Sequence, residues 1–234
     1  MGPLERPVLL TRKDIEAMFD QVLERGVNLI ENSASLGAEF ALHLVMEYSK
    51  SRKIPIIVED IFDTLPVYLT HPELMGVSVE DSDMRVIKVG GNQEAGNVLA
   101  RVRFENDPHI YRRKIDRELE KIIPEGDYIH MVLGLERLLS IQNNAHTIRA
   151  ILSPIKHKLG SDRGRSVYIV EKPLMENLPF NPLPLLEDVA TSVIELVDEG
   201  EGVIRTKLKK SQLKLVMQKQ AVLVSPREVL RWWE

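Results

Sequence analysis

A loop of small and polar residues, 32–39, follows an apolar run and precedes a helical pattern. Phosphate-binding loops have this layout, with the pattern G-x-x-x-x-G-K-[ST] between a strand and a helix. The glycines let backbone N–H groups surround the phosphate oxygens, the lysine reaches the terminal phosphates, and the hydroxyl binds magnesium. Phosphate chemistry is therefore the first hypothesis that the sequence raises.

The residues of this loop depart from the pattern at three of its four defining positions. When Gly37 is aligned with the second glycine, Asn32 takes the place of the first, Ala38 replaces the lysine and Glu39 replaces the hydroxyl residue. Two like unit charges ~4 Å apart at a dielectric of ~20 repel by about 4 kcal/mol, so Glu39 opposes Mg-ATP. A helix N-terminus still favours some anion. We predict a degenerate phosphate loop without a catalytic residue, a cofactor or ATPase activity; the structural alternative is a tight turn between strand and helix.

The elements that hold this loop alternate between apolar runs and helical patterns. The spacing predicts helices and, between them, unalternating apolar strands that are typical of a parallel sheet buried on both faces. Prolines 66 and 72 are expected to break the helical segment around Leu65 and Leu69, and the proline-rich segment 173–184 is expected to be irregular. The predicted helices cover 12–25, 37–51, 109–123, 135–142 and 144–158, and the predicted strands cover 27–31, 54–60, 84–89, 128–133 and 166–171.

The last part of the chain differs in character. Short apolar runs at 193–197, 203–208, 214–217 and 222–224 are joined by tight connections, which is typical of antiparallel strands. Residues 98–104 alternate and indicate an edge or antiparallel strand. We therefore predict a single α/β domain over 1–234, a three-layer sandwich with a mostly parallel central sheet and an antiparallel C-terminal extension. Its parts are an N-terminal helix (1–26), a parallel core (27–171), a β-rich tail (185–225) and a terminal helix (226–234).

Polar residues at the ends of predicted strands form a second candidate site. Ligands of open α/β sheets bind beyond the carboxyl ends of the strands. Glu59 and Asp60 end the second strand, Asn92 lies in the G-x-x-x-x-G loop after the third, and Gly134 follows the strand 128–133. We predict that these four residues line a crevice, although Glu59 alone is expected to be a solvated carboxylate. The loop 91–96 lacks the lysine and the helix of a phosphate loop, so we interpret it as flexible.

The order of these elements resembles the RecA-fold ATPases of the KaiC-like type, over roughly residues 20–225. The likeness rests on the strand-loop-helix at 27–51, the acids Glu59 and Asp60, the strand-helix at 128–142, and the late run 186–196 leading to Arg205-Thr206-Lys207-Leu208-Lys209. The chain looks most like an uncharacterised group from hyperthermophilic archaea with decayed nucleotide motifs. The resemblance implies that Glu59 matches the glutamate that orients the attacking water, and that Lys209 or Lys210 matches a basic residue pointing to a neighbouring subunit. An exposed hairpin lysine is the alternative.

In that family a later strand ends in an acid that holds magnesium. Gly134 stands at that place here, and Glu136 is expected in the first turn of the following helix, where it suits the helix dipole. His130 is predicted to be a core histidine, and the spacing of the histidines predicts no metal site. Trp232 and Trp233 are either core residues or a subunit contact, where tryptophan is enriched.

Composition limits the remaining function classes. The net charge is −4 and the isoelectric point about 5.9, so nucleic-acid binding by the basic segment 111–117 is possible but not supported by the overall charge. The absence of cysteine excludes disulfides and thiolate chemistry. No apolar stretch reaches the ~18 residues of a membrane helix, so we expect a cytoplasmic protein without membrane attachment.

Two hypotheses follow for the function. The first is a catalytically inactive RecA-like domain that acts as a binding or assembly module with a protein partner or as a homo-oligomer. The second is an enzyme or sensor that binds a small anionic ligand in the crevice, with Glu59 or Asp60 as acid-base groups. An accessory role in DNA repair or signalling rests on fold analogy alone.

Overall fold

The computed structural model describes residues 23, 26–76, 79, 81, 83–157, 163–200, 202–211 and 222–224. Within these residues the chain forms nine strands and seven helices. The strands are β1 (Gly26–Ser33), β2 (Ile56–Ile61), β3 (Arg85–Val89), β4 (Asn97–Val102), β5 (Tyr128–Leu133), β6 (Gly164–Glu171), β7 (Ser192–Asp198), β8 (Ile204–Lys210) and β9 (Val222–Val224). The helices are α1 (Gly37–Arg52), α2 (Thr64–Leu74), α3 (Pro108–Ile122), α4 (Leu135–Ile141), α5 (Ala145–His157), α6 (Lys172–Glu176) and α7 (Leu183–Val189).

The strands form one sheet in the order β4-β3-β2-β5-β6-β1-β7-β8-β9. All neighbours from β4 to β7 are parallel, whereas the β7–β8 and β8–β9 pairs are antiparallel. The central β1 pairs with β6 and β7, with Leu29 opposite both Tyr168 and Val193. The predicted mostly parallel sheet with a C-terminal antiparallel extension is confirmed, and it fits a RecA-like sandwich.

Helices cover both faces of the sheet because most of its strands are apolar on both sides. Alternate residues such as Ile30, Val58 and Met131 pack into one core with α1 and α2. Their neighbours, such as Leu29 and Val132, pack into a second core with α3, α4, α5, α6 and α7. The resulting three layers place the carboxyl ends of β1, β2, β5 and β6 along the same edge.

Several local predictions were wrong. Strand β7, predicted to be antiparallel, is antiparallel only to β8 and is parallel to β1. Of the two alternatives for residues 98–104, the edge strand is confirmed, and β4 is parallel to β3. Helix α2 contains both Pro66 and Pro72. Pro66 is tolerated because it lies in the first turn, where a backbone N–H has no partner within the helix. The segment 173–184, predicted to be irregular, contains most of α6 and the start of α7.

Other predictions lie outside the described residues. They are the helix 12–25, of which only Leu23 is described and is buried, the strand 214–217, and the terminal helix with Trp232 and Trp233. Among the helices that the structure describes, none has the length and apolar content to cross a membrane.

A carboxylate cluster beside a closed loop

The loop between β1 and α1 closes on its own residues. The Oδ1 atom of Asn32 accepts a hydrogen bond from the backbone N–H of Ala34 at 3.0 Å, and Gly37 donates its N–H to the Ala34 carbonyl at 3.1 Å. Asn32 also occupies the space next to Gly37, where an added Cβ would lie 2.1 Å from Oδ1. The side chain at the position of the first motif glycine therefore occupies the inside of the turn.

The two residues that replace the lysine and the hydroxyl residue point into the protein. Ala38 is completely buried in the core between α1 and the sheet. Glu39 is 6% exposed, and its Oε1 lies 2.5 Å from Nδ1 of His71 on α2. In place of the motif's lysine the structure thus has an apolar contact of Ala38, and in place of the hydroxyl residue it has the Glu39–His71 pair.

A second carboxylate, Glu171, lies at the end of β6 and faces the same loop. It accepts hydrogen bonds at 3.0 Å from the Tyr68 hydroxyl and from Nδ2 of Asn32. Burial raises the pKa of Glu171, and the charge of Glu39 raises it further, while the two hydrogen bonds and Arg137 lower it. Asn32 therefore links the loop to the end of a neighbouring strand.

A third carboxylate, Glu136, is fully buried. It lies in the first turn of α4, as predicted, and is only 1% exposed. Neither of its side-chain oxygens has a hydrogen-bond partner among the described residues. Burial raises the pKa of Glu136 to about 7, and the charge of Glu171 also raises it, whereas Arg137 and the backbone N–H groups of Glu136 and Glu171 lower it. Those N–H groups form no hydrogen bond of normal geometry to the carboxylate.

Glu39, Glu136 and Glu171 are called the carboxylate cluster below. Tyr68 joins them: its pKa is raised by burial and by the charges of Glu136, Glu171 and Glu39. In the part of the chain that the structure describes, no group of three or more acidic or histidine side chains is arranged to hold a metal ion.

The four residues predicted to line one crevice do not form one site. Glu59 is 2% exposed, on the opposite face of the sheet from the carboxylate cluster, where Nη1 of Arg112 donates to both of its oxygens at 3.1 and 3.2 Å. Nε2 of the buried His130 lies 3.4 Å from Oε2. The prediction of a solvated Glu59 is wrong, because the residue lies within β2 and a helix covers it.

Asp60 and Asn92 belong to another network. Asp60 is fully buried and accepts hydrogen bonds at 2.8 Å from the Leu65 N–H and from Nζ of Lys88. Lys88 also donates to Asp63 and to the Gln93 carbonyl, and Asp63 accepts the Asn92 N–H at 2.8 Å. The loop 91–96 is thus anchored to Asp60 through Lys88.

Gly134 has a steric role. Its φ is 82°, and a Cβ at this position would lie 2.5 Å from the Ile61 carbonyl and 2.3 Å from Oγ1 of Thr64. Only glycine therefore lets β5 turn into α4 so close to the start of α2.

Lys209 is not an exposed hairpin lysine. Its Nζ donates to Oε2 of Glu31 at 2.9 Å and also to Glu187, and Glu31 is 0% exposed. Burial and a hydrogen bond with Glu187 raise the pKa of Glu31 to about 7, although Lys209 opposes the shift. Lys210 donates to the carbonyls of Glu187 and Asp188. Both lysines are therefore held by groups of this chain, and a contact with a neighbouring subunit stays a prediction.

Sequence reasoning missed Tyr68, His71 and Glu171. Glu171 ends a strand of the parallel core in the same way as Glu59 and Asp60, so the rule that found those two acids also applies to it. Tyr68 and His71 carry no such signal, because they come from a helix whose position depends on the sheet.

The sequence matches, over residues 21–221, the family described as "Pyrococcus protein of unknown function, DUF257". The chain belongs to the DUF257 family. A solved Pyrococcus horikoshii structure, PH0250, is similar to this DUF257 chain at 26% identity, with a TM-score of 0.74 over 89% of this chain and 97% of that one. The uncharacterised P. horikoshii protein PH0321, in complex with an unknown peptide, shares the fold at 11% identity and a TM-score of 0.56 over 85% and 89% of the two chains.

No functionally curated protein matches this DUF257 chain. The Pyrococcus relatives agree with the predicted likeness to proteins of hyperthermophilic archaea. Membership of the RecA and KaiC superfamily stays a prediction.

Proposed function

We propose that this protein is a nucleotide-independent, catalytically inactive RecA-like domain that acts as a binding module. One observation carries the proposal: the inside of the 32–39 loop is filled by the Asn32 side chain, which also holds Glu171. A phosphate cradle needs free backbone N–H groups and open space, whereas here Gly37 and Ala34 direct their N–H groups to acceptors within the loop.

The charges at this position support the same conclusion. Glu39 takes the place of the motif's hydroxyl residue, and like charges ~4 Å apart at a dielectric of ~20 repel by about 4 kcal/mol. The side chains of Ala38 and Glu39 supply neither the cation nor the magnesium-binding hydroxyl that would offset this repulsion.

The alternative of a small anionic ligand loses support for two reasons. The carboxylate cluster repels anions, and the proposed acid-base groups are engaged, since Glu59 pairs with Arg112 and Asp60 pairs with Lys88. A ligand that carries positive charge suits the site better.

A polypeptide is the partner that the surface favours. Large apolar side chains are exposed on α4, α6, α7 and their connection, namely Ile141, Leu174, Phe180 and Leu185. The backbone of Phe180 is fixed, because its N–H donates to Asn143 at 2.7 Å and its carbonyl accepts from the same side chain at 3.1 Å. Helix α6 contacts both α4 and α7, and exposed apolar side chains on adjoining elements support a protein interface. PH0321, which shares the fold, was crystallised with a peptide, and this adds support for such a partner.

The nucleotide test is a melting-temperature measurement of the full chain with Mg-ATP. We expect no shift at millimolar Mg-ATP, and no phosphate release. A ligand at ten times its Kd would add about 1.4 kcal/mol of stability, which corresponds to a rise of roughly 2–6 °C in a protein of this size. Such a rise, if it disappeared on altering the 32–39 loop, would overturn the proposal.

A motif-restored variant is the matched control. Ala38→Lys combined with Glu39→Thr returns two of the three missing motif residues but leaves Asn32 inside the turn. We expect this variant not to bind Mg-ATP either, because the space next to Gly37 remains filled.

Light scattering after gel filtration tests whether the partner is a second copy of this chain. If it is, the protein should self-associate, and Phe180→Ser should reduce this self-association.

A further inference from the structure

We propose that the carboxylate cluster binds a primary ammonium group, carried by a lysine side chain or by a free alkylamine. The inference rests on the proposed function and deepens it, because it names the class of ligand that the binding module takes.

The first support is the state of Glu136. This carboxylate is 1% exposed, and both of its oxygens lack a hydrogen-bond partner within the described residues. Buried polar groups in native proteins are almost always hydrogen-bonded, and a buried carboxylate without a partner is costly. Two acceptor atoms are thus available at one point, and an ammonium group has three N–H donors and no acceptor.

The second support is the charge around Glu136. Glu171 lies close enough to raise the pKa of Glu136, and Glu39 in turn raises the pKa of Glu171. Arg137 lowers the pKa of both Glu136 and Glu171. Its Nη1, however, donates to the Phe62 carbonyl at 3.3 Å. The cluster therefore holds an excess of negative charge that a bound cation would neutralise.

The third support is a connection to solvent. Glu39 is nearly buried, but its partner His71 has 46% of its side chain exposed, and Ser33 and Ser35 of the neighbouring loop are exposed as well. Glu171 is only partly buried. His71 therefore marks the solvent-exposed side of the cluster, and the proposal has the alkylamine enter from that side.

The acceptor pattern of the cluster favours an ammonium group over other cations. A guanidinium group can pair with a carboxylate through its planar fork, but it has five N–H donors to satisfy, against three in an ammonium group. The unpartnered buried acceptors of the cluster are only the two oxygens of Glu136 within the described residues. The described side chains offer no three-ligand arrangement for a metal ion. The apolar stem of an alkylamine also suits the mostly buried surroundings.

Binding should release protons. Burial raises the pKa of Glu136 to about 7, and a bound cation would lower that pKa, so that a proton on this carboxyl would be released. The charged or titratable groups that interact with Glu136 or its neighbours in the cluster are Glu39 on α1, Tyr68 and His71 on α2, Arg137 on α4 and Glu171 on β6.

The experiment is calorimetric titration of the full chain at pH 7, in two buffers of different ionisation enthalpy. The probes are n-butylamine, the peptide acetyl-Gly-Lys-Gly-amide, and the same peptide with an acetylated lysine. We expect the first two to bind with proton release and the acetylated peptide not to bind. Tighter binding of the lysine peptide than of butylamine indicates a polypeptide ligand, and equal or weaker binding indicates a free amine.

Glu136→Gln is the decisive variant. It removes the charge and keeps the shape, so we expect binding to weaken roughly 30-fold or more, the loss found when one partner of a buried charge pair is removed. Glu73→Gln, the same change at an exposed position of α2, should bind as the natural protein does. Glu171→Gln serves as a second test if Glu136→Gln fails to fold.

Absence of binding by both amines, or equal binding by the natural protein and a folded Glu136→Gln or Glu171→Gln variant, would overturn the inference. The Mg-ATP measurement is independent of this outcome. If the protein does not bind amines, the nucleotide-independent function is still supported. If Mg-ATP raises the melting temperature, that function is wrong, but the amine-binding result is unaffected.

Discussion

A single nitrogen of Arg112 on α3, Nη1, donates to both carboxylate oxygens of Glu59 in the middle of the sheet, at 3.1 and 3.2 Å. The Glu59 side chain is 3% exposed and that of Arg112 is 13% exposed. Burial lowers the pKa of Arg112, but the charges of Glu59 and Asp116 and a hydrogen bond to Asp116 raise it more, so the net pKa shift is upward. The pair therefore links a helix to the sheet through a buried ion pair.

We predict that Arg112→Met lowers the free energy of unfolding by about 3–5 kcal/mol, measured by denaturant titration. The reason is that the change leaves Glu59 buried without its main cationic partner. Arg113→Met on the same helix is the control, because Arg113 is exposed. Adding Glu59→Gln to Arg112→Met should recover part of the loss; no recovery would mean that the guanidinium acts by packing and not by charge.

A second prediction concerns Lys88, whose side chain is 1% exposed and joins Asp60, Asp63 and the Gln93 carbonyl. Lys88→Met should lower stability by about 3–5 kcal/mol, because Asp60 would remain buried without its cation. The loop 91–96 would also lose its anchor. Hydrogen exchange should therefore become faster at Asn92 and Gln93, whose N–H groups are held by Asp63.

Lys121→Met is the control for this prediction. Lys121 forms an exposed ion pair with Glu118 at the end of α3, which solvent screens. We expect only a small change in stability and no change in exchange at residues 91–96. Unchanged exchange at Asn92 in Lys88→Met would show that Asp63 alone holds the loop.

A third prediction concerns pH. Burial raises the pKa of Glu136 from 4.5 to about 7, so the folded protein binds a proton there that the unfolded chain has lost above pH 4.5. The contribution of Glu136 to the free energy of unfolding therefore becomes more unfavourable as the pH rises from 4.5 to 7, and it stays constant above pH 7. Glu136→Gln should match the natural protein near pH 4 and exceed its stability by about 3 kcal/mol at pH 8.

The measurement is the free energy of unfolding at several pH values for the natural protein, Glu136→Gln and the exposed control Glu73→Gln. The difference between the natural protein and Glu136→Gln isolates this residue from Glu31, whose pKa burial also raises to about 7. A difference that does not depend on pH would show that Glu136 is not the titrating group.

The fourth prediction tests the closed loop. Alanine normally stabilises a helix relative to glycine by about 1 kcal/mol. Gly37→Ala should instead destabilise the protein by about 1–3 kcal/mol, since the new Cβ would lie 2.1 Å from Oδ1 of Asn32. The penalty should shrink in an Asn32→Ala background, as measured by a double-mutant cycle. An equal penalty in both backgrounds would place the clash elsewhere, for example at Ala34.

Much of the fold was predictable from the sequence. The apolar runs that became β2, β3 and β5, and the helical patterns that became α1, α3 and α5, lie within a few residues of their predicted positions. These elements follow from local hydrophobic periodicity, which does not depend on distant parts of the chain. The direction of β4 and the pairing of β7 with β1 were not predictable in this way, because strand order is a long-range property.

The candidate site was predictable only in part. The loss of the lysine and the hydroxyl residue from the loop is visible in the sequence, and so is the placement of Glu136 in a first helical turn. Glu59 was assigned wrongly, since nothing in the sequence shows that Arg112, fifty-three positions later, would cover it. The alternative of an exposed Lys209 was wrong for the same reason, because its partner Glu31 is 178 positions away.

The sequence alone determined that the 32–39 loop lacks the groups to bind phosphate, because those groups are a matter of residue type. Only the tertiary structure decided what the loop does contain. Tyr68 and Glu171 are separated by 103 positions, yet the Tyr68 hydroxyl and Asn32 both bind Glu171 because β6 lies beside β1. The ionisation of a carboxylate depends on its burial and its neighbours, and strand order brings those neighbours together.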